Sequence, residues 1–275
     1  MTIEYFPVDP RGTRLSVGLR SLDLAQWLEI DGNREKELAD KSEVWKSGAE
    51  VFAALPGSEA ACDELLELVL ENLAQFHPNE LSVDLSGLEH PLLWLGEHLQ
   101  EDFCVLQKEA GEWILTAAIL FSPSRWRLME KLGKSLRQIH QPVPHLNQEI
   151  GEALEFSFDR VTVDRPMWRA NWTLMDDARN FQPEPPSEFE RAKFDQSDIG
   201  NAMFFRVERQ TLRRLPKSDA IVFTIRTYVH SLAEVVASVP DSRQLLTRAI
   251  ETADSEHLKY KGWTNVKSAM LDYLR

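Results

Sequence analysis

The run Glu112-Trp-Ile-Leu-Thr-Ala-Ala-Ile-Leu-Phe121 constrains this chain more than any other stretch. Almost every position in it is apolar, so it lacks the alternation of a strand that shows one face to water. It reads as a central strand covered on both sides. Asp102-Phe-Cys-Val-Leu-Gln107 precedes it across a polar Lys-Glu-Ala-Gly turn, and the two segments together predict a β-hairpin. Ser122-Pro-Ser124 stops the second strand. A sheet begun in this way needs a layer on each face, and the flanking sequence holds the material for both.

Most of that material is helical. Glu59 to Phe76 repeats Leu65, Leu66, Leu68, Val69, Leu73 and Phe76 at helical spacing, and His77-Pro78 ends the pattern. A charged helix is expected from about Asn33 to Trp45 and a short one from Leu92 to Leu99. Ser21 to Trp27 reads as a helix start with Ser21 as N-cap. Behind the hairpin, Trp126–Ile139 and Leu146–Phe158 predict helices, separated by Pro142 and Pro144. Met167–Leu174, Met203–Leu212 and Asp219–Val229 predict three more strands, the last two joined by a Pro216–Asp219 turn. Asn180–Asp198, rich in proline and acid, is expected as a long loop, and Ser231–Arg275 as helical.

The expected fold class is therefore α+β: an antiparallel sheet of about five strands, helices inserted between its second and third strands, and further helices at both ends. The organisation expected is an N-terminal helical segment over residues 1–100, a core over 101–230 and a C-terminal helical extension over 231–275, packed as one unit. With 43% hydrophobic residues, the chain can bury a sizeable core. A net charge of -13 argues against nucleic acid and against an anionic membrane surface as partners. No apolar run approaches the roughly 20 residues of a spanning helix, and residues 1–10 have no secretory pattern, so a cytoplasmic location is expected. Two cysteines, Cys62 and Cys104, give little support to an iron–sulfur or zinc–thiolate site.

Four strings make a family resemblance specific. The first is Gly18-Leu-Arg-Ser-Leu-Asp-Leu-Ala-Gln-Trp27-Leu-Glu-Ile-Asp31, followed by Leu38-Ala-Asp-Lys41. The second is Phe121-Ser-Pro-Ser-Arg-Trp126, with Glu130-Lys-Leu-Gly133 and Ile139-His140-Gln-Pro142-Val143-Pro144. The third is Trp168-Arg169-Ala-Asn171-Trp172. The fourth runs from Phe205-Arg206-Val-Glu208-Arg209-Gln210-Thr211 to Pro216, and on into Phe223-Thr-Ile-Arg226-Thr227-Tyr228. Together, and in this order from about Leu15 to Tyr228, they resemble the haem-dependent oxidative N-demethylase-like family. The resemblance implies a PAS-like fold, whose layout the predicted elements share. It also implies a catalytic subunit holding haem b, of the type that oxidises dimethylamine with O₂. Electrons would come from NADPH through a partner reductase carrying flavin and an iron–sulfur cluster.

Under that resemblance His140 is the candidate axial ligand to the haem iron, placed just ahead of two prolines, with His145 as the alternative. Arg169, Arg206 and Arg209 are candidates for the haem propionates, which a guanidinium fork meets well. Strand alternation sends Arg206 and Glu208 to one face and Arg209 to the other, so not all three can touch one ligand, and a structural ion-pair ladder is the competing reading. Trp172, with Trp168 and Asn171, could line the porphyrin or the amine, with Asp176 or Asp177 as a carboxylate for a cationic amine. The competing reading makes the tryptophans core and the aspartates a loop start. Thr224 and Thr227 could present hydroxyls on the last strand or simply follow strand propensity. No catalytic residue is singled out. The alternative functions are a PAS-type haem sensor and a small-ligand binder that has lost the haem.

Overall fold

The computed structural model describes residues 3–80, 83–185 and 195–275. Among them a single antiparallel sheet of seven strands is flanked by eleven helices. The predicted hairpin is β3 (Asp102–Glu109) and β4 (Glu112–Ile119); β5 (Met167–Met175), β6 (Phe204–Arg214) and β7 (Ile221–Ser231) complete the five long strands. Two short strands, β1 (Arg20–Ser21) and β2 (Phe52–Ala54), extend the edges, giving the order β1-β5-β6-β7-β3-β4-β2. The five long strands thus run β4-β3-β7-β6-β5, with helices inserted between β4 and β5, and the sheet is PAS-like.

The apolar run of β4 is covered on both faces, as its composition requires. On one face, α1 (Arg34–Lys46), α2 (Glu59–Phe76) and α3 (Pro91–His98) pack Leu65, Val69 and Leu95 against Phe103, Val105 and Ile119. The same face of β5 and β6 is covered by the C-terminal helices, where Leu246, Trp263 and Met270 meet Phe205 and Val207. The opposite face gathers Cys104, Leu106, Leu115 and Leu212 with Leu136 and Phe158 from the inserted segment. Alternating residues along each strand supply the two cores, which is why the strands read as nearly continuous apolar runs.

Several boundaries depart from expectation. Ser21 is not an N-cap: it pairs with Met167 in β1, and Asp23 caps the short turn Leu24–Gln26 by accepting from Ala25 N–H. The helix expected over Trp126–Ile139 is broken into a turn at Leu128–Glu130 and α4 (Leu136–Ile139). Gly133 takes φ 74, and the backbone around it pairs with the part of β4 that β2 leaves free: Gly133 N–H donates to Leu115 O at 2.8 Å. Ladder bonds to the sheet replace the helical ones there. Leu146–Phe158 is likewise split at Ile150 into α5 (Leu146–Glu149) and α6 (Gly151–Arg160). Of the expected loop 180–198, residues 186–194 lie outside those described.

The free edge of β5 is closed by side chains. Beyond Trp168 it has no strand neighbour on its outer side among the described residues. Lys261 Nζ donates to Trp172 O at 3.2 Å and Trp263 Nε1 to Leu174 O at 2.9 Å. Two edge carbonyls that would otherwise template another strand are thereby satisfied.

Candidate functional site

Cross-strand partners share a face of the sheet, so register sorts the candidate residues. Arg169–Gln210–Ile225, Asn171–Glu208–Thr227 and Thr173–Arg206–Val229 form three rows across β5, β6 and β7. The next row, Met167–Leu212–Phe223, belongs to the apolar cluster that includes Leu136 and Ile139 of α4. The three polar rows therefore lie on the face covered by the inserted helices. Arg169, Glu208 and Gln210 remain partly exposed there.

His140 closes α4 over this face. Its Nδ1 lies 2.8 Å from Leu136 O, and its Nε2 has no hydrogen-bond partner among the described residues. A ring nitrogen against a carbonyl carries the proton, which leaves the lone pair on Nε2. Burial lowers the His140 pKa; the Leu136 contact opposes this, while the Lys131 and Arg169 cations add to it. The ring therefore stays neutral at neutral pH.

Arg169 has no ion pair among the described residues. Its Nε is buried with no partner among them, and burial lowers its pKa, opposed through space by Glu208. Arg206, in contrast, is 1% exposed and committed: it donates to Ser122 O at 2.6 Å and to Asn180 O at 3.1 Å, and its Nε faces Glu208 at 3.6 Å.

Arg209 and Trp172 lie on the other face, away from His140. Arg209 Nε is 3.1 Å from Glu29, and the guanidinium also donates to Trp27 O and Gln26 O. Trp172 stacks on Phe205 at 5.4 Å and meets Trp263 at 5.9 Å. His145, at φ 60, sits beside Asp254 and Glu256 at the rim. Asp176 pairs with Arg125, and Asp177 accepts from Arg179. Thr224 shares a 2.5 Å hydrogen bond with Thr211 on the far face, whereas the Thr227 hydroxyl is buried without a partner among the described residues and stands opposite Glu208.

Glu208, Tyr260 and Lys261 join the candidate site, and sequence reasoning did not select them. Glu208 acts through space on Arg169, Arg206, Tyr260 and Lys261. Burial lowers the Lys261 pKa to about 8, against the pull of Glu208. Alternation had already put Glu208 on the Arg206 face; nothing local ties residues 260 and 261 to a strand so far upstream.

Two cavities stand apart from His140 and Arg169. One of about 470 Å³ is lined by Tyr5, Glu29, Trp168, Arg209 and Tyr228 on the far face. Another of about 450 Å³ is lined by Arg14, Glu149, Asp254 and His257. No helix among the described residues is long and apolar enough to cross a membrane.

A neutral imidazole with a free Nε2 and a half-buried guanidinium without an ion pair among the described residues, on one face of a PAS-like sheet, suit an iron porphyrin, which asks for an axial nitrogen and a partner for its carboxylates. The comparison with known families agrees: the model of the haem-dependent oxidative N-demethylase, alpha subunit-like family matches residues 18–89 and 77–271, and the chain belongs to that family.

Proposed function

We propose that this chain is the haem b-carrying subunit of a cytoplasmic enzyme that oxidatively removes a methyl group from a small secondary amine, with His140 as axial ligand. Family membership brings haem dependence, oxidative N-demethylation and, through the alpha-subunit designation, companion subunits. The observation that carries the residue assignment is the pairing of the free His140 Nε2 with the unpaired Arg169 guanidinium on the same face.

Bound haem would supply the O₂ chemistry, and the chain supplies binding, orientation and polarity. His140 would hold the iron, its ring fixed by Leu136 O. Arg169 would meet a propionate, which would give its buried Nε the partner it lacks. Arg206, whose Nε is 3.6 Å from Glu208 on the same face, would position it. Glu208 would accept the ammonium of a cationic amine. The unpartnered Thr227 hydroxyl, opposite Glu208 in the register, can hold a proton beside it. Arg209 and Trp172 support the site from the far face. Residues 101–230 would form the haem-binding core, with 1–100 and 231–275 covering the far face. Electrons would arrive from NADPH through a flavin and iron–sulfur reductase subunit.

The test is the absorption spectrum of the purified protein, oxidised and reduced, followed by amine-dependent formaldehyde release with NADPH and a reductase. The reading expects a Soret band that shifts on reduction, and formaldehyde from dimethylamine. Haem without amine turnover would point to a haem sensor. No haem after reconstitution would leave a small-ligand binder.

A further inference from the structure

We infer that His145, Asp254 and His257 form a divalent transition-metal site of zinc type, separate from the haem face. One nitrogen from each histidine and one oxygen of Asp254 lie within 4.8 Å of one another. Asp254 is the hub: its Oδ2 is 2.9 Å from His257 Nδ1 and 3.5 Å from His145 Nε2. Bonds of about 2.0–2.2 Å at tetrahedral angles put ligand atoms roughly 3.3–3.6 Å apart, so small rotations would bring all three onto one ion. Glu256, 3.6 Å from His145 Nε2, stands next to this set.

The second observation is His257. It is 7% exposed, so the ring that presents Nδ1 to Asp254 at 2.9 Å is held in place by its surroundings. The ring also borders the cavity of about 450 Å³ that Asp254 and Glu149 line, so an ion and a water have a way in. Two imidazoles and a carboxylate favour zinc and its first-row neighbours over magnesium or calcium.

The place in the fold gives the site a consequence. His145 opens α5 in the inserted segment, while Asp254 and His257 begin the helix Ser255–Tyr260 of the C-terminal extension. Their apposition at present rests on these contacts and on the facing His145 and His257 rings, 5.5 Å apart. A metal would staple the segment that carries His140 to the segment that carries Tyr260 and Lys261.

The experiment titrates chelator-treated full-length protein with Co²⁺ and then Zn²⁺, following visible absorption and thermal midpoint. The proposal expects one equivalent of four-coordinate Co²⁺ bands, their loss on adding Zn²⁺, and a raised midpoint. His145→Ala changes a rim residue, so it should fold and bind at least about 10–100-fold more weakly, since even outer-shell losses cost that much. Its Soret band should match the wild type, separating this site from the haem iron. Zinc affinity weaker than about 1 mM, or unchanged in His145→Ala, overturns the proposal. Asp254→Asn is the second variant, with circular dichroism as its folding control because Asp254 also caps the helix.

Discussion

His140 Nδ1 lies 2.8 Å from the carbonyl oxygen of Leu136, one turn back along α4. The contact fixes the ring's tautomer and angle without any other side chain, and it faces Nε2 away from the helix end. His140→Ala should therefore abolish or strongly shift the Soret band while leaving the fold intact, since the ring is only partly buried and makes no side-chain bond. His145→Ala should leave it unchanged. Spectra of both variants, oxidised and reduced, check this; a Soret band lost in His145→Ala alone would transfer the axial role.

Two arginines from the same candidate set should behave in opposite ways. Arg169 is half-buried, with an Nε that has no partner among the described residues, so Arg169→Met should weaken haem retention while leaving stability unchanged or slightly higher. Arg209 is 2% exposed and paired with Glu29, which also accepts from Tyr5 and Tyr228. Arg209→Met should cost about 3 kcal/mol or more, because it strands a carboxylate. Urea unfolding and haem titration of the two variants give the comparison. Equal stability losses would remove Arg169 from the haem assignment.

The Arg209–Glu29 pair also shows what could be read from the sequence. Of the four shared strings, much of the first and fourth is one clasp: Glu29 holds Arg209 and Tyr228, and Asp31 holds Arg226 at 2.8 Å. The second and fourth meet where Ser122 O accepts from Arg206. A string alone does not say whether an arginine meets a ligand or a glutamate nearly two hundred positions away, so Arg209 could not be told from Arg169. Period-two alternation separated Arg206 from Arg209 correctly because it is local. The hairpin and Glu59–Phe76 were legible for the same reason: each carries its whole signal within its own span. The break at Gly133 was not, because the bonds that replace the helix come from Leu115 on β4.

Burial pushes the thiols of Cys62 and Cys104 up to about 12. At pH 8 only about one thiol in ten thousand would be ionised, and thiolate is the reactive form. Both should resist a disulfide reagent in the native state and react together on unfolding. Counting thiols released with and without urea checks this. Fast reaction of one thiol in the native protein would show that its cover opens locally.

Lys261 ties pH to the packing of the C-terminal segment. Its pKa falls from 10.5 to about 8 on folding, so between those values the unfolded chain binds more protons and stability rises with pH. Below pH 8 both states hold the proton and the cost of the buried charge is fully present; above about 10.5 neither does. Wild type should therefore gain on Lys261→Met between pH 8 and 10.5. A stability difference that stays flat across that window would place the amine in water.

The tight seat of α3 on the sheet at Gly96 bears on the site as well as the fold. A Cβ added to Gly96 in α3 would lie 2.6 Å from Ile119 Cγ1 and 2.9 Å from Phe121 Cε2. Alanine would gain about 1 kcal/mol of helix propensity, against an overpacking cost of about 1–3 kcal/mol. The cost should win, because both neighbours are rigid: Ile119 is 1% exposed in β4, and Asp102 accepts from the backbone N–H of Phe121 and of Ser122. Arg206 donates to Ser122 O, so pressure at Gly96 also reaches the guanidinium that faces Glu208 at 3.6 Å. Gly96→Ala should lower stability by about 1–2 kcal/mol, and adding Ile119→Ala should cost less than the sum of the single changes. Simple additivity in a urea double-mutant cycle would show that the helix shifts away instead of pressing on β4.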